Sequence, residues 1–416
     1  MYIIEKYYSP KKITAMKEIE KNFNRRKFLR MTAVAGAGAA FLPMNVAAGS
    51  STPQVSKEHE DEIPVRTLGR TGLKIPVLSM GVMKADNPSV LRAAYNSGIK
   101  HFDTANGYQN GKNEEMVGNF FADKPRDSFT VATKVKFDYP LKEDFEKTLF
   151  ETVDISLKRL KMDYVDIFYI HAIRGLEELS DKRVVAAIKK IKESGKARFI
   201  GFSTHANRPD QLDAAVKEGI YDVILLSYNF KLKNLEETNA AVERAAKAGI
   251  GLVAMKTLAG GAADADGNMK IDAKACLKWV WQNKNFTTAI PGLTSYDQLD
   301  DCVAAIKSPE LNEDEKKYLA QLCDSDMMFC QQCGKCTAQC PENLPIPDLM
   351  RAYMYTYGYK FAQLSKETIA ELNLPDDMCS NCKDGCKVSN CTSGFKVGEK
   401  IAAIKPVMNI PDVFLT

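Results

Sequence analysis

Val165-Asp-Ile-Phe-Tyr-Ile-His171 is a short, largely apolar run set between amphipathic stretches of helical period. Such a run reads as a strand buried on both faces, which is what a parallel sheet covered by helices requires. The same pattern recurs on either side, at Val77 to Val82, His101 to Thr104, Phe129 to Val135, Arg198 to Ser203, Val223 to Tyr228, Gly251 to Met255 and Thr288 to Pro291. Eight strands alternating with helices in about 245 residues fit a (β/α)8 TIM barrel, typically about 250 residues, better than an open doubly wound sheet. The fold class is therefore α/β, with the barrel expected over residues 64–308.

In such a barrel, chemistry gathers where the strands end. The second strand runs into Asp103-Thr-Ala-Asn-Gly-Tyr108, the third ends in Thr133-Lys134 and the fourth in Tyr169-Ile-His171. Taken singly, each polar residue has an ordinary structural explanation. Together they place a phenol acid beside a cation and a carboxylate. Lys134 is expected to favour the tyrosinate and lower the phenol pKa, Asp103 to keep the ammonium charged, and His171 to orient a carbonyl or relay a proton. That set suits carbonyl reduction.

These residues sit in motifs that resemble the aldo/keto reductase family: Arg66-Thr-Leu-Gly69-Arg-Thr-Gly72-Leu, Asp103-Thr-Ala-x-x-Tyr108, Glu114-x-x-x-Gly118, Lys134, Ser156-Leu-x-Arg159-Leu-x-x-Asp163-Tyr-Val-Asp166, His171 and Gly195-Lys-x-Arg198-x-x-Gly201-x-Ser203. The resemblance implies Tyr108 as general acid, a tetrad completed by Asp103, Lys134 and His171, and NAD(P)H as hydride source at the barrel mouth. Ser203, Thr204, Met255, Lys256 and Gly292 occupy the expected cofactor-binding positions. Several depart from the family pattern. Thr204 stands where Asn is common, Leu225 where Gln is common, and Met255-Lys256 where an aromatic residue stacks on the ring. Leu offers no side-chain hydrogen bond. Ile290 to Ser295 lacks a cation for a 2′-phosphate, although a helix start there could hold pyrophosphate on backbone N–H groups. Lys256 beside Gly260-Gly261 reads equally well as a replacement contact or as a solvated strand end.

Eight of the 11 cysteines fall between residues 330 and 391. Cys330-x2-Cys333-x2-Cys336-x3-Cys340-Pro341 is the bacterial ferredoxin run for a 4Fe-4S cluster, whose fourth cysteine commonly ligates a second cluster. Cys379-x2-Cys382-x3-Cys386-x4-Cys391 is spaced more loosely. If the usual ferredoxin exchange holds, Cys391 joins Cys330, Cys333 and Cys336, while Cys340 joins Cys379, Cys382 and Cys386. One or two 4Fe-4S clusters are expected, in a small, mostly helical, ferredoxin-like iron-sulfur domain over 309–416. Disulfides and zinc are the alternatives, and the first run disfavours both. Between the two groups, Arg351 to Phe361 is rich in tyrosine and is expected to pack on clusters and barrel. Cys276, Cys302 and Cys323 read as small apolar residues; His59, His101 and His205 have no evident partners.

The 416 residues include 57 Lys plus Arg against 53 Asp plus Glu, for a formal charge of +4. Residues 1–48 hold a net +6, so the remainder is at −2, and the surplus that would point to nucleic acid belongs to the leader. There Asn24-Arg-Arg-Lys-Phe-Leu-Arg30 precedes a short apolar run and Val46-Ala-Ala48. The order is that of a cleavable signal, and the paired arginines resemble the twin-arginine export signature. A basic amphipathic helix is the alternative. A linker over 49–63, no lasting membrane span and a periplasmic or extracellular location follow.

The sequence thus reads as an exported oxidoreductase acting on a small carbonyl or alcohol, with an electron-transfer partner possible and no nucleic acid. The alternative is a catalytically inactive barrel serving as an electron-transfer or binding protein of a redox complex.

Overall fold

The computed structural model describes residues 62–416 except 262–270, 325–327, 376, 381, 383–384, 390, 393 and 416. The leader, most of the linker and His59 lie outside the described residues.

An antiparallel hairpin, β1 (Val65–Thr67) and β2 (Lys74–Pro76), precedes the barrel and sends Leu68 and Ile75 into its interior. Eight parallel strands follow in chain order: β3 (Met80–Gly81), β4 (His101–Asp103), β5 (Thr130–Val135), β6 (Val165–Ile173), β7 (Ala197–Thr204), β8 (Val223–Ser227), β9 (Gly251–Met255) and β10 (Thr288–Ala289). Single bridges from Leu78 to Ala289 and from Gly81 to Gly292 join the first strand to the last. The strands at this seam are shorter than their apolar runs suggest, because their pairing there is reduced to those bridges.

Alternation explains why the runs are apolar throughout. Ile167 and Tyr169 of β6 face the barrel interior, while Phe168 and Ile170 pack among the helices. Helices Lys112–Phe121 and Phe145–Leu160 approach closely because position 118 is glycine; a Cβ there would run into the Arg159 and Leu160 backbone. The motif carboxylate Asp166 is buried and serves structure. It accepts from Arg126 (2.7 Å), Arg198 (2.8 Å) and the Val131 amide (2.9 Å).

Beyond Lys307 the described residues form helices and turns, chiefly Glu313–Asp324, Ile346–Tyr353, the π-helical turn Met354–Gly358, Ala362–Ala370 and Val397–Ile404. Leu319, Leu322 and Phe329 pack into the core formed by the barrel helices. A second core gathers Leu349, Met350, Tyr353, Ile369, Val397 and Ile401. None of the helices among the described residues is long and apolar enough to cross a membrane.

Candidate active site at the barrel mouth

Asp103, Lys134 and His171 stand at or near the ends of β4, β5 and β6, and Tyr108 lies on the loop after β4. That loop is clamped from three sides. The Asn106 amide donates to the Lys134 carbonyl (2.9 Å), Arg159 donates to the Asn106 carbonyl (3.1 Å), and Gln109 donates to the Met83 and Ala85 carbonyls (3.1 Å each). Buried Glu114 accepts from Thr133 (2.6 Å) and Arg159 (3.4 Å), which fixes the clamp to β5. The motif residues Glu114 and Arg159 therefore position the phenol without touching the reacting atoms.

Lys134 is 1% exposed and donates to Asp103 Oδ1 (2.5 Å), to the Thr104 carbonyl (2.5 Å) and to the Tyr108 hydroxyl (3.5 Å). His171 meets the Tyr108 ring edge-on with centroids 5.8 Å apart. It sits where the β6 register shifts, between Ile170 and Ile173, next to left-handed Ala172. An irregularity of this kind turns a side chain out of the strand's alternation. Burial pushes the Asp103 carboxyl up and the Lys134 ammonium down, and their contact opposes both shifts.

The expectation that Lys134 lowers the phenol pKa is not met. Tyr108 is held well above its ordinary value, first by burial and then by Asp103, Tyr355 and Tyr359, with Arg351 opposing. The ammonium is matched by Asp103, and the half-buried phenol lies in the field of Tyr355, Tyr359 and Arg351 of the tail. Burial, then Lys134, Arg351, Lys136 and Lys256, hold His171 well below its usual range, so the imidazole is neutral at pH 7.

These tail residues lie within 351–359. Lys84 donates to the Tyr359 carbonyl (2.7 Å), and Lys256 lies over the rings of Tyr355 and Tyr359 at 5.0 and 4.9 Å. Gly358 packs on Gly260 so closely that a Cβ would run into the Gly260 carbonyl. A narrow cleft remains, lined by His205, Lys256, Cys330, Arg351 and Met354. His205 is a part of the site missed in the sequence; Arg351 to Phe361 was expected to pack on the barrel, but its place beside the phenol was not read. There the helical chain sets Tyr355 beside Tyr359 and Tyr353 beside Tyr357, each pair of rings tilted, with centroids 5.6 and 4.6 Å apart.

Of the residues expected at the cofactor, Ser203, Thr204 and Met255 are buried and Gly292 is exposed. Ser203 Oγ accepts the Ala172 amide (2.8 Å), which leaves its own proton to donate. The Thr204 hydroxyl is used against the Ile173 carbonyl at the end of β6 and the Ala206 carbonyl of its own loop. Leu225 belongs to the barrel interior.

The eight tail cysteines are free thiols in two sets. The charges acting on Cys330 come from Cys336, Cys391 and Cys333, and burial pushes its thiol up to about 12. Those acting on Cys379 come from Glu342, Cys382, Cys340 and Cys386. Cys391 thus falls with the first run and Cys340 with the second. Among the described residues no three His, Cys, Asp or Glu stand close enough to share one metal ion. Cys276 and Cys302 are buried, and the Cys323 thiol donates to the Phe230 carbonyl (3.3 Å). His101 Nδ1 pairs with Thr130 Oγ1 (2.9 Å), and burial lowers its pKa to about 4.

The Aldo/keto reductase family profile matches residues 78–274. The barrel is an aldo/keto reductase domain. The protein is accordingly an oxidoreductase of aldo/keto reductase type. It is 27% identical over 294 residues to L-galactose dehydrogenase of Arabidopsis thaliana, covering 60% of this chain and 90% of that one. It is 28% identical over 223 residues to L-glyceraldehyde 3-phosphate reductase of Escherichia coli strain K12, covering 49% and 64%. Among solved structures, the holo form of an aldo-keto reductase from Bacillus halodurans superposes with a TM-score of 0.51 at 22% identity, covering 63% of this chain and 96% of that one. This last likeness speaks to the fold.

Proposed function

We propose that the protein reduces a small carbonyl compound, or oxidises the matching alcohol, with Tyr108 as the proton donor. The observation that carries this reading is the placement of the Tyr108 hydroxyl 3.5 Å from Lys134 Nζ, with the neutral His171 ring beside it. Lys134, anchored by Asp103, steadies negative charge on the phenolic oxygen as the proton leaves. The N–H of the neutral His171 ring donates a hydrogen bond to the carbonyl oxygen. A reduced nicotinamide would be held by the Ser203 hydroxyl, Lys256 Nζ and the exposed backbone at Gly292 ahead of helix Tyr296–Lys307. When bound, it supplies the hydride.

Residues 309–416 are proposed to hold one or two 4Fe-4S clusters. The donor chemistry fits: each set offers four free thiols, the ligand number of a 4Fe-4S cluster, and the first set carries the ferredoxin spacing. When bound, such a cluster supplies one electron at a time, which makes a one-electron partner protein part of the proposal. The leader is proposed to export the folded chain through a twin-arginine route to the periplasm or cell exterior, with cluster loading completed beforehand in the cytoplasm.

Anaerobically purified full-length chain is expected to contain about four or about eight iron atoms, with matching sulfide and a paramagnetic reduced state. On the same sample, titration with NADH and NADPH is expected to show saturable binding, and a set of aldehydes and ketones to yield turnover. Iron and sulfide well below stoichiometry sinks the cluster reading. Loaded protein that neither binds nicotinamide nor turns over any carbonyl sinks the reductase reading.

The pH profile offers a second test. Since the phenol stays protonated and His171 neutral, kcat/KM for reduction is expected to be flat from about pH 6 to about pH 9. Alcohol oxidation, which needs the phenolate as base, is expected to climb with pH throughout. A reduction rate that falls through neutral pH would point to a different acid.

A further inference from the structure

Arg208 opens the helix after β7 and is 2% exposed. Its guanidinium donates to the His205 carbonyl, to Ser227 Oγ (3.0 Å) and to Gln331 Oε1 (3.5 Å), while Nε has no partner. Among the described residues no carboxylate pairs with it. A buried guanidinium normally has an anion, because burying a charge is costly unless it is matched. The neighbouring cations are provided for: Arg351 is paired with Asp348 (2.5 Å), and Lys256 lies over two tyrosine rings. Arg208 instead faces the first cysteine run. Its partner Gln331 adjoins Cys330, and Cys330 and Cys333 are the groups whose ionised forms favour the charged guanidinium. Gln331 is itself held to the barrel through the Lys231 carbonyl (2.8 Å).

We infer that Arg208 is the barrel's counter-charge to an anionic cluster held by Cys330, Cys333, Cys336 and Cys391, and that it raises that cluster's reduction potential. The inference rests on the cluster reading above. A positive charge favours the reduced cluster, which carries one more negative charge, so removing it makes reduction harder. The role belongs to a positioning residue of the barrel that acts on the tail, and it would make the barrel part of the electron site.

The test is a redox titration of full-length, cluster-loaded protein followed by paramagnetic resonance. Arg208→Gln is expected to shift one cluster to a more negative potential by at least tenfold in its reduction equilibrium, which is 59 mV for one electron. Arg208→Lys keeps the charge and is expected to stay within about twofold of the native protein. Gln331→Glu leaves Arg208 in place but sets a carboxylate against it, and is expected to shift the same cluster in the same direction. That variant also serves if Arg208→Gln does not fold. Loaded Arg208→Gln or Gln331→Glu protein with native potentials overturns the inference and leaves the cluster reading intact. Equal shifts for Lys and Gln at position 208 also overturn it, since geometry rather than charge would then be at work. Protein devoid of iron and sulfide overturns both.

Discussion

Replacing Tyr108 with Phe is expected to lower kcat for carbonyl reduction by about 10²- to 10⁴-fold, the usual contribution of a positioned general acid. The substitution removes one oxygen and leaves the ring where the loop clamps and His171 hold it. KM should change little, because the proton is transferred only as the transition state forms. Thermal unfolding should remain within about 1 kcal/mol of the parent, since Lys134 donates to the hydroxyl at 3.5 Å but makes its two 2.5 Å contacts elsewhere. Steady-state kinetics with unfolding curves on both proteins separate chemistry from folding. Undiminished kcat in Tyr108→Phe would exclude the phenol as the acid and turn attention to His171.

The largest stability loss is expected from Lys134→Met. Met approximates the length of the lysine stem but leaves Asp103, which is 3% exposed, without its counter-charge. Asp103 Oδ2 already lacks a partner, so the variant would strand a buried carboxylate. Breaking a buried pair from one side costs about 3–5 kcal/mol. The carboxyl pKa, already raised by burial, would rise further once the cation is gone. A raised folded-state pKa stabilises the protonated form, so the variant's deficit should shrink at acid pH and grow as pH rises through that pKa. Adding Asp103→Asn should restore most of the stability and none of the activity. Denaturant unfolding at two pH values checks this; equal stability of Lys134→Met and the parent at neutral pH would show that the pair is not the anchor described.

Much of the barrel was legible because its strands are buried on both faces and so leave apolar runs in the sequence. Val165 to His171 reads as a strand, and the chain continues it to Ile173 only because the register shifts at its end. The tetrad was legible for a related reason: side chains at the ends of consecutive parallel strands must share one rim. The direction of the Tyr108 shift was not, because it depends on Tyr355 and Tyr359, some 250 residues away along the chain. His205 and Arg208 looked unremarkable until the tail folded onto them. The two strands at the β3–β10 seam were read at Val77 to Val82 and Thr288 to Pro291 but are shorter than that, because apolar runs record burial and not pairing.

By itself the sequence determined the local matters: the order of strands and helices, the rim on which Asp103, Tyr108, Lys134 and His171 would meet, and the thiol-rich runs of the tail. Periodicity and spacing encode those, since burial repeats every two or every 3.6 residues and nearby ligands must reach a common point. Only the tertiary structure decided which distant charges face one another. It set the charges of Arg351 and two tyrosines near the phenol and Gln331 against Arg208. Electrostatic fields act through space, so the properties they set follow the packing of segments that the linear order keeps apart.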